Sequence, residues 1–361
     1  MSGGVDSSVT AYLLKQQGYD VVAVHMRNWD RSDEEGREAC TADADWADVQ
    51  RVCRQLQIPC HSVNFSKEYW HDVFAPSLDV FSQGNTPNPD ALCNARIKFG
   101  AFRAHALATH GAALFATGHY AQLFHPPPQQ GPPPRLRAAV DPIKDQSYFL
   151  ATVPWEALRG VIFPLGGMMK GEVRELAARA GLVTAAKKDS VGICFVGQRR
   201  SFGGFLSQYI TPTPGDFVCG QTGARLGPHE GVELYTLGQK ARIANMAAKW
   251  FVCAKRQRSG DVVVVPGTEH PALMCGALTA DAAAFAWGAG AAPRALAEGR
   301  AMRVQYKVRY RSGRETGTVR LRGGLLHLEF DKPERAITPH QLLALYGGPE
   351  FDICLGGGPI L

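Results

Sequence analysis

The sequence predicts a parallel-sheet α/β domain followed by two smaller, β-rich units, and three observations carry that expectation. Short β-branched apolar runs alternate with helical stretches through the first half of the chain. A turn rich in glycine and serine, "SGGVDSS", stands directly before the first helix. From about Thr211 the texture changes to short strands broken by Gly, Pro and Asp turns. Strand–helix alternation is the pattern of a parallel sheet covered by helices on both faces. At 361 residues, with 45% hydrophobic and 20% charged content, the chain exceeds one ordinary domain and can build a real core. No apolar run reaches the roughly 18 residues of a membrane span. The 39 basic against 33 acidic residues leave a net charge of +6, which permits a polyanionic partner without requiring one.

Each element has its own justification. "VTAYLLKQQG" reads as a helix with Val9, Tyr12 and Leu13 on one side and Gly18 as its C-terminal cap. Asp20 to Met26 is a β-branched run expected as a buried strand. "DADWADVQRVCRQLQ" is helical, "IPCHSVNF" a strand, "RIKFGAFRAHALATHG" helical and "AALFATGH" a second buried strand. Ligands of such sheets sit beyond the carboxyl ends of the strands, so the opening turn and "ATGHY" are expected on one edge. His125 to Arg135 is proline-rich and expected as a neutral surface loop. "GEVRELAARAG" is a helix ended by Gly181, and a further helix is expected near Ile243 to Trp250.

In "MRVQYKVRYR", Arg303, Gln305, Lys307, Arg309 and Arg311 alternate with Val304, Tyr306, Val308 and Tyr310. Period two puts the basic residues on one face of a strand. Between Arg300 and Arg335 stand ten Lys/Arg and four Asp/Glu, so this segment nets as much charge as the whole chain. A solvated strand face and a nucleic-acid surface both fit that pattern.

The nine cysteines are odd in number, scattered and without a C-x-x-C pair, which argues against a disulfide framework and a zinc knuckle. Two stand in suggestive settings. Cys93 lies in a turn rich in Pro and Asn, with Arg96 and Lys98 following at a helix start and Asp90 three residues before as an acid/base candidate. Cys194 stands between Lys187/Lys188 and Arg199/Arg200, an electropositive loop.

The opening turn lacks the G-K-[ST] ending of a Walker loop and the spacing of a dinucleotide fingerprint. It offers instead two glycines for close backbone approach, hydroxyls at Ser2, Ser7 and Ser8, and a helix N-terminus behind them, a suitable cradle for pyrophosphate. Asp6 is a candidate to help hold Mg²⁺ or to fix the turn. The string resembles the PP-loop of ATP pyrophosphatases. Taken with "GHYAQ", "KDQSYFL" and the two cysteine motifs, the resemblance narrows to the tRNA-specific 2-thiouridylases (the MnmA/TRMU family), running from Ser2 to about Gly358.

That resemblance implies a Rossmann-like PP-loop domain over residues 1–210, a small central domain over 211–277 and a C-terminal, tRNA-binding β-barrel over 278–361. It implies an ATP-dependent sulfurtransferase that adenylates O2 of the wobble uridine and then replaces it with sulfur. Cys194 would bear a persulfide from an upstream sulfur-carrier protein, and Cys93 would attack it and close a transient disulfide, with Asp90 assisting. Ser2, Gly3, Gly4, Val5, Asp6, Ser7 and Ser8 would hold the phosphates of ATP, accompanied by Mg²⁺, while Met26 and Gly118 would border adenosine. Asn88, Pro89 and Asp90 would line the target base. His119, Lys144, Asp145, Gln146, Tyr310, Arg311 and Gln341 would touch tRNA of the Lys, Glu or Gln type. No structural metal and no membrane are implied.

Some features depart from the family pattern. The glycine-rich stretch usual after "TLGQ" reads "KARIANMAAKW", and "TPHQ" stands where a glycine often precedes Gln341. "FPLGG" and "GDVVVVPGTEHPAL" have the texture of the mitochondrial branch, which implies a mitochondrial setting, or a cytoplasmic one if the chain is bacterial. A sheet of this kind places its first, central strand just before Ser2, where only Met1 stands, so an absent N-terminal strand is expected. The accompanying alternative is a catalytically impaired tRNA-binding homologue.

Overall fold

A computed structural model of the chain describes residues 1–29, 41–125, 131–189 and 202–361. The first helix, Val5–Gln16, follows the glycine-rich turn directly, and Gly18 adopts φ +82 just beyond its end, as a C-terminal cap requires. Val5 and Val9 bury into one cluster, with Tyr12 and Leu13 packed against it, while Ala11 joins a second.

Strands Ala23–Arg27 and Cys60–Asn64 pair in parallel, and so do Phe115–Ala116 and Val161–Ile162. These are two separate two-stranded sheets, where alternation predicts one continuous sheet. Met1 borders the first pair: its amino group donates to the Val24 carbonyl, and its own carbonyl lies 3.0 Å from Nδ1 of His25. The two pairs are joined by side chains instead of a ladder. The first helix packs with Tyr120, Leu165 and Val173 on one side and with Ala23, Val49 and Cys53 on the other. It thereby bridges the gap that backbone hydrogen bonds leave open.

The middle unit is a five-stranded sheet, whose core is Phe217, Val232, Val252, Val262 and Val264. The helix expected near Ile243 to Trp250 is absent: residues 244 to 249 are exposed, Asn245 takes φ +59, and Trp250 begins the strand Trp250–Arg256. Helix-forming residues with no face to bury do not sustain a helix.

The last unit is a nine-stranded sheet that curls on itself, with Ala280 bridged to Ile360 and the Leu361 amide donating to Thr279 O. It recruits two strands from the first half. Gln122–Phe124 pairs with Arg135–Arg137, and Arg137 pairs with Ile353. The proline-rich stretch expected as a neutral surface loop thus begins just after one of these strands and ends at Arg135 inside the other.

Strand Leu342–Gly347 is buried along its whole length. Leu343 and Leu345 face the barrel core, while Leu342, Ala344 and Tyr346 join the core of the first domain. Alternation sends successive side chains to opposite faces, so one strand serves two cores.

Candidate functional site

The phosphate-loop candidate is built at the N-terminus of a twelve-residue helix capped by Gly4. The first-turn N–H groups have no intrahelical acceptor, and the helix dipole adds positive potential there. Gly3 has φ +76, and a Cβ on it would fall 2.5 Å from the Asp45 carbonyl oxygen, so no other residue fits. Gly118, at the end of the neighbouring pair, lies against the loop: its Cβ would meet the Asp6 carbonyl carbon at 3.0 Å. The hydroxyls divide in role. Ser7 Oγ and Ser8 Oγ donate to Gly4 O at 3.1 and 2.9 Å and brace the turn, whereas Ser2 is exposed. Met26 lies next to the carboxyl end of its strand, on the same edge.

Behind the loop lies a charged network that the sequence did not reveal. Lys170 Nζ reaches both Asp6 oxygens at 2.7 and 2.8 Å and Asp189 at 2.9 Å, and Tyr120 OH donates to Asp6 at 2.8 Å. Asp189 also receives Lys144 Nζ at 2.8 Å and Arg174 at 2.6 Å. Burial by itself raises the Asp189 carboxyl, but hydrogen bonds from Lys144 and Lys170 outweigh it and hold the group at about 2. Asp141 ties the backbone together, accepting from the Lys170, Lys144 and Ile143 amides. Lys187, expected to make the Cys194 loop electropositive, instead donates to Gly3 O, Asp45 and Asp48 and so steadies the phosphate loop. Cys194, Arg199 and Arg200 lie outside the described residues.

Cys93 does not sit in a turn. It begins a wide, π-type helical stretch, Cys93–Phe102, continuous with the short helix Pro89–Leu92, and it is buried. Such widened turns recur at functional sites. Asn88 caps the helix by accepting the Ala91 amide at 3.1 Å, and Asn94 Nδ2 donates to Asp90 O at 2.9 Å. Burial pushes the Asp90 carboxyl up, with the Lys98 charge opposing. Arg96 points to solvent.

The phosphate loop and the cysteine helix meet through residues 118 and 119. Gly118 touches the loop, while the His119 ring packs against Phe99 of the cysteine helix, with centroids 5.6 Å apart. Burial and the Lys98 charge hold His119 well below its usual range, so its imidazole is neutral.

Several residues expected to touch tRNA face inward. Asp145 is buried and accepts the Ala139 and Ser147 amides. Gln146 accepts the Tyr120 amide, and Lys144 is committed to Asp189. Tyr310 packs on Phe149 at 4.6 Å. Gln341 Nε2 donates to the carbonyls of Thr86 and Pro87 at 2.9 and 2.8 Å.

The basic strand face is also interrupted, because its strand ends at Lys307. Lys307 is buried with its ammonium over the rings of Tyr148 and Tyr310, and burial pulls it below the usual lysine range. Arg309 donates to the carbonyls of Arg335 and Ala336, and Arg303 pairs with Asp331, which leaves Arg311 exposed.

Among the described residues, no group of three His, Cys, Asp or Glu is gathered as for a metal, and the Asp6 carboxylate is already neutralised by Lys170. No described helix is long and apolar enough to cross a membrane.

Comparison with known proteins agrees with this architecture. Residues 1–198 match the family described as tRNA methyl transferase HUP domain, residues 203–266 the tRNA methyl transferase PRC-barrel domain, and residues 280–360 the aminomethyltransferase beta-barrel domain. The tRNA-specific 2-thiouridylase MnmA of Listeria monocytogenes is 46% identical across all of this chain and 93% of its own length. The proteins of the same name from Staphylococcus carnosus and Methylococcus capsulatus are each 45% identical, again over the whole chain. All three relatives are bacterial, so the mitochondrial texture of two segments finds no support in them. On identity of this extent, over all three domains, the chain belongs to the tRNA-specific 2-thiouridylase family.

Proposed function

We propose that this chain is a tRNA sulfurtransferase that uses ATP to form 2-thiouridine at the wobble position of tRNA. The observation that carries the reading is the meeting of an anion-cradling helix N-terminus and a cysteine-bearing helix across Gly118 and His119. A phosphate loop serves adenylation, and a thiol serves sulfur transfer. The methyl-transfer wording of two of the domain descriptions accounts for neither.

In this reading Ser2 to Ser8 hold the phosphates, and Met26 and Gly118 flank adenosine. Mg²⁺ arrives with the nucleotide, since Asp6 is engaged by Lys170. The uridine O2 attacks the α-phosphorus and pyrophosphate leaves. Cys93 then attacks the inner sulfur of a Cys194 persulfide, forming a Cys93–Cys194 disulfide and releasing hydrosulfide. Hydrosulfide adds at C2, AMP departs with O2, and an external thiol reduces the disulfide. Asp90, with its carboxyl pushed up by burial, is suited to shuttle a proton beside the base. Asn88 and Pro89 line the base, and the barrel takes the tRNA body. The tRNAs are of the Lys, Glu and Gln type, the donor is a persulfide-carrying protein, and the bacterial relatives favour a cytoplasmic setting. We divide the domains at 210/211 and 277/278.

The test is mass spectrometry of nucleosides from tRNA incubated with enzyme, ATP and a persulfide donor. Thiouridine is expected with the wild type and absent with Cys93→Ala or Cys194→Ala. Full activity in the double variant would sink the mechanism.

A further inference from the structure

Lys144 and Lys170 are spent on Asp189, Lys187 is spent on Asp45 and Asp48, and Lys307 is sealed against rings. Lys255 is placed differently. It stands on the strand Trp250–Arg256 of the central unit, just past a bulge between Val252 and Ala254. Its ammonium donates to a backbone carbonyl, that of Tyr235, and not to a carboxylate. The carboxylate whose charge reaches it, Glu233, is buried and accepts both the amide and the hydroxyl of Thr213. Lys255 also lines a cavity of about 270 Å³ where the three units meet. Asn85 and Thr86 border this cavity from the first domain, Cys253 and Ala254 from the central unit, and Thr338 and Pro339 from the barrel. Among the described residues its lining holds no carboxylate, and Ala254 is exposed, so the cavity meets solvent there. Burial pulls the Lys255 ammonium down to about 8, with the Glu233 charge opposing. Near neutral pH a sizeable share of the amine is therefore unprotonated, the form that attacks electrophiles. Cys253 is the less suitable nucleophile of the lining: burial raises its thiol, and Sγ donates to Val263 O at 3.4 Å.

We propose that Lys255 is an acylation site, modified by small acyl phosphates that enter the cavity between the three units. The cavity falls just under the roughly 300 Å³ at which ordinary ligand pockets begin, so it suits a donor of few atoms. In the step, the neutral amine attacks the carbonyl carbon, the N–C bond forms and the C–O bond to phosphate breaks. Phosphate leaves with the electron pair, and the surplus proton on nitrogen passes to water. Nothing is oxidised or reduced. The product is a neutral amide, which keeps one N–H for the Tyr235 carbonyl and removes a poorly compensated charge from the junction. The modification is independent of the thiouridylase reading, since it uses neither the phosphate loop nor Cys93 or Cys194.

The experiment treats the full-length protein with acetyl phosphate and follows each lysine by peptide mass spectrometry. At about pH 7.5, Lys255 should acetylate about tenfold faster than the exposed Lys15 and Lys240, because its larger neutral fraction outweighs the lower nucleophilicity of a weaker base. Its rate should level off above about pH 8, as the amine becomes fully neutral. Ala254→Leu, at an exposed position on the cavity wall, should slow Lys255 severalfold by narrowing the entrance and leave Lys15 unchanged. Lys255 reacting no faster than Lys240 in the wild type would overturn the proposal, and so would an unchanged Lys255 rate in Ala254→Leu. A hydroxylamine-labile label on Cys253 in place of the Lys255 amide would overturn it too, by giving the cavity's chemistry to the thiol.

Discussion

The two ends of the molecule hold themselves together by different means. Among the described residues, the front half has two short parallel pairs, and its loop, its "KDQ" turn and the helix beginning at Lys170 are tied by Asp6, Lys170, Asp189, Lys144 and Asp141. The barrel has a continuous ladder around a core of Leu278, Val304, Leu328, Leu343 and Leu345. Charge places reacting groups with direction, whereas apolar packing supplies a frame without direction. The difference fits the proposed function, with chemistry at the front and framework at the back.

The largest expected effect tests that assignment at its centre. Cys93→Ala should lower thiolation by at least about 1,000-fold, the usual scale for a lost nucleophile, with the melting curve nearly unchanged. Cys93 also packs in the core of the first domain, so a large loss of stability would make packing, and not the thiol, its main contribution. At the other end, Leu345→Ala removes a fully buried barrel side chain. It should cost about 3 kcal/mol in urea unfolding while activity per folded molecule persists. Activity falling further than the folded fraction would break the division of labour.

Lys170→Met comes next, because it leaves Asp6 with the Tyr120 hydroxyl but no cation and takes one of three cations from Asp189; about 2 kcal/mol is expected, with ATP-dependent steps weakened. Its pH signature is specific. Asp189 is held at about 2, so its stabilising contribution is complete above the ordinary carboxylate range. The contribution disappears as pH falls from about 4 toward 2. Acid titration should therefore show the variant and wild type converging through that window; a constant difference there would remove Asp189 from the network. The smallest effect is His340→Gly, which relieves a left-handed backbone at φ +65 just before the strand Leu342–Gly347 and should raise stability by about 1 kcal/mol in thermal melts.

Local pattern made much of the fold legible. The first helix and its Gly18 cap, the helix Thr41–Leu56 and the strand Cys60–Asn64 follow from spacing and end signals. The phosphate-loop candidate was legible because its residues are contiguous. The charged network was not, since Lys170 and Asp6 stand 164 positions apart and "MMKGEVREL" reads as an ordinary helix start. Likewise Lys187, Lys307 and Arg309 looked like free positive charge, yet folding spends each on a carbonyl, a carboxylate or a ring. "LLALYG" announces a strand buried on both faces, but only the packed chain tells which core each residue enters.

That doubly buried strand bears on how such proteins can change over time. A one-residue insertion within Leu342–Gly347 would exchange the two sets of side chains and spoil both cores together. The barrel is therefore no detachable cassette: swapping it for another would require rewriting Leu342, Ala344 and Tyr346 to suit a foreign first domain. Inheritance of the catalytic half and of the barrel is bound together by six consecutive residues.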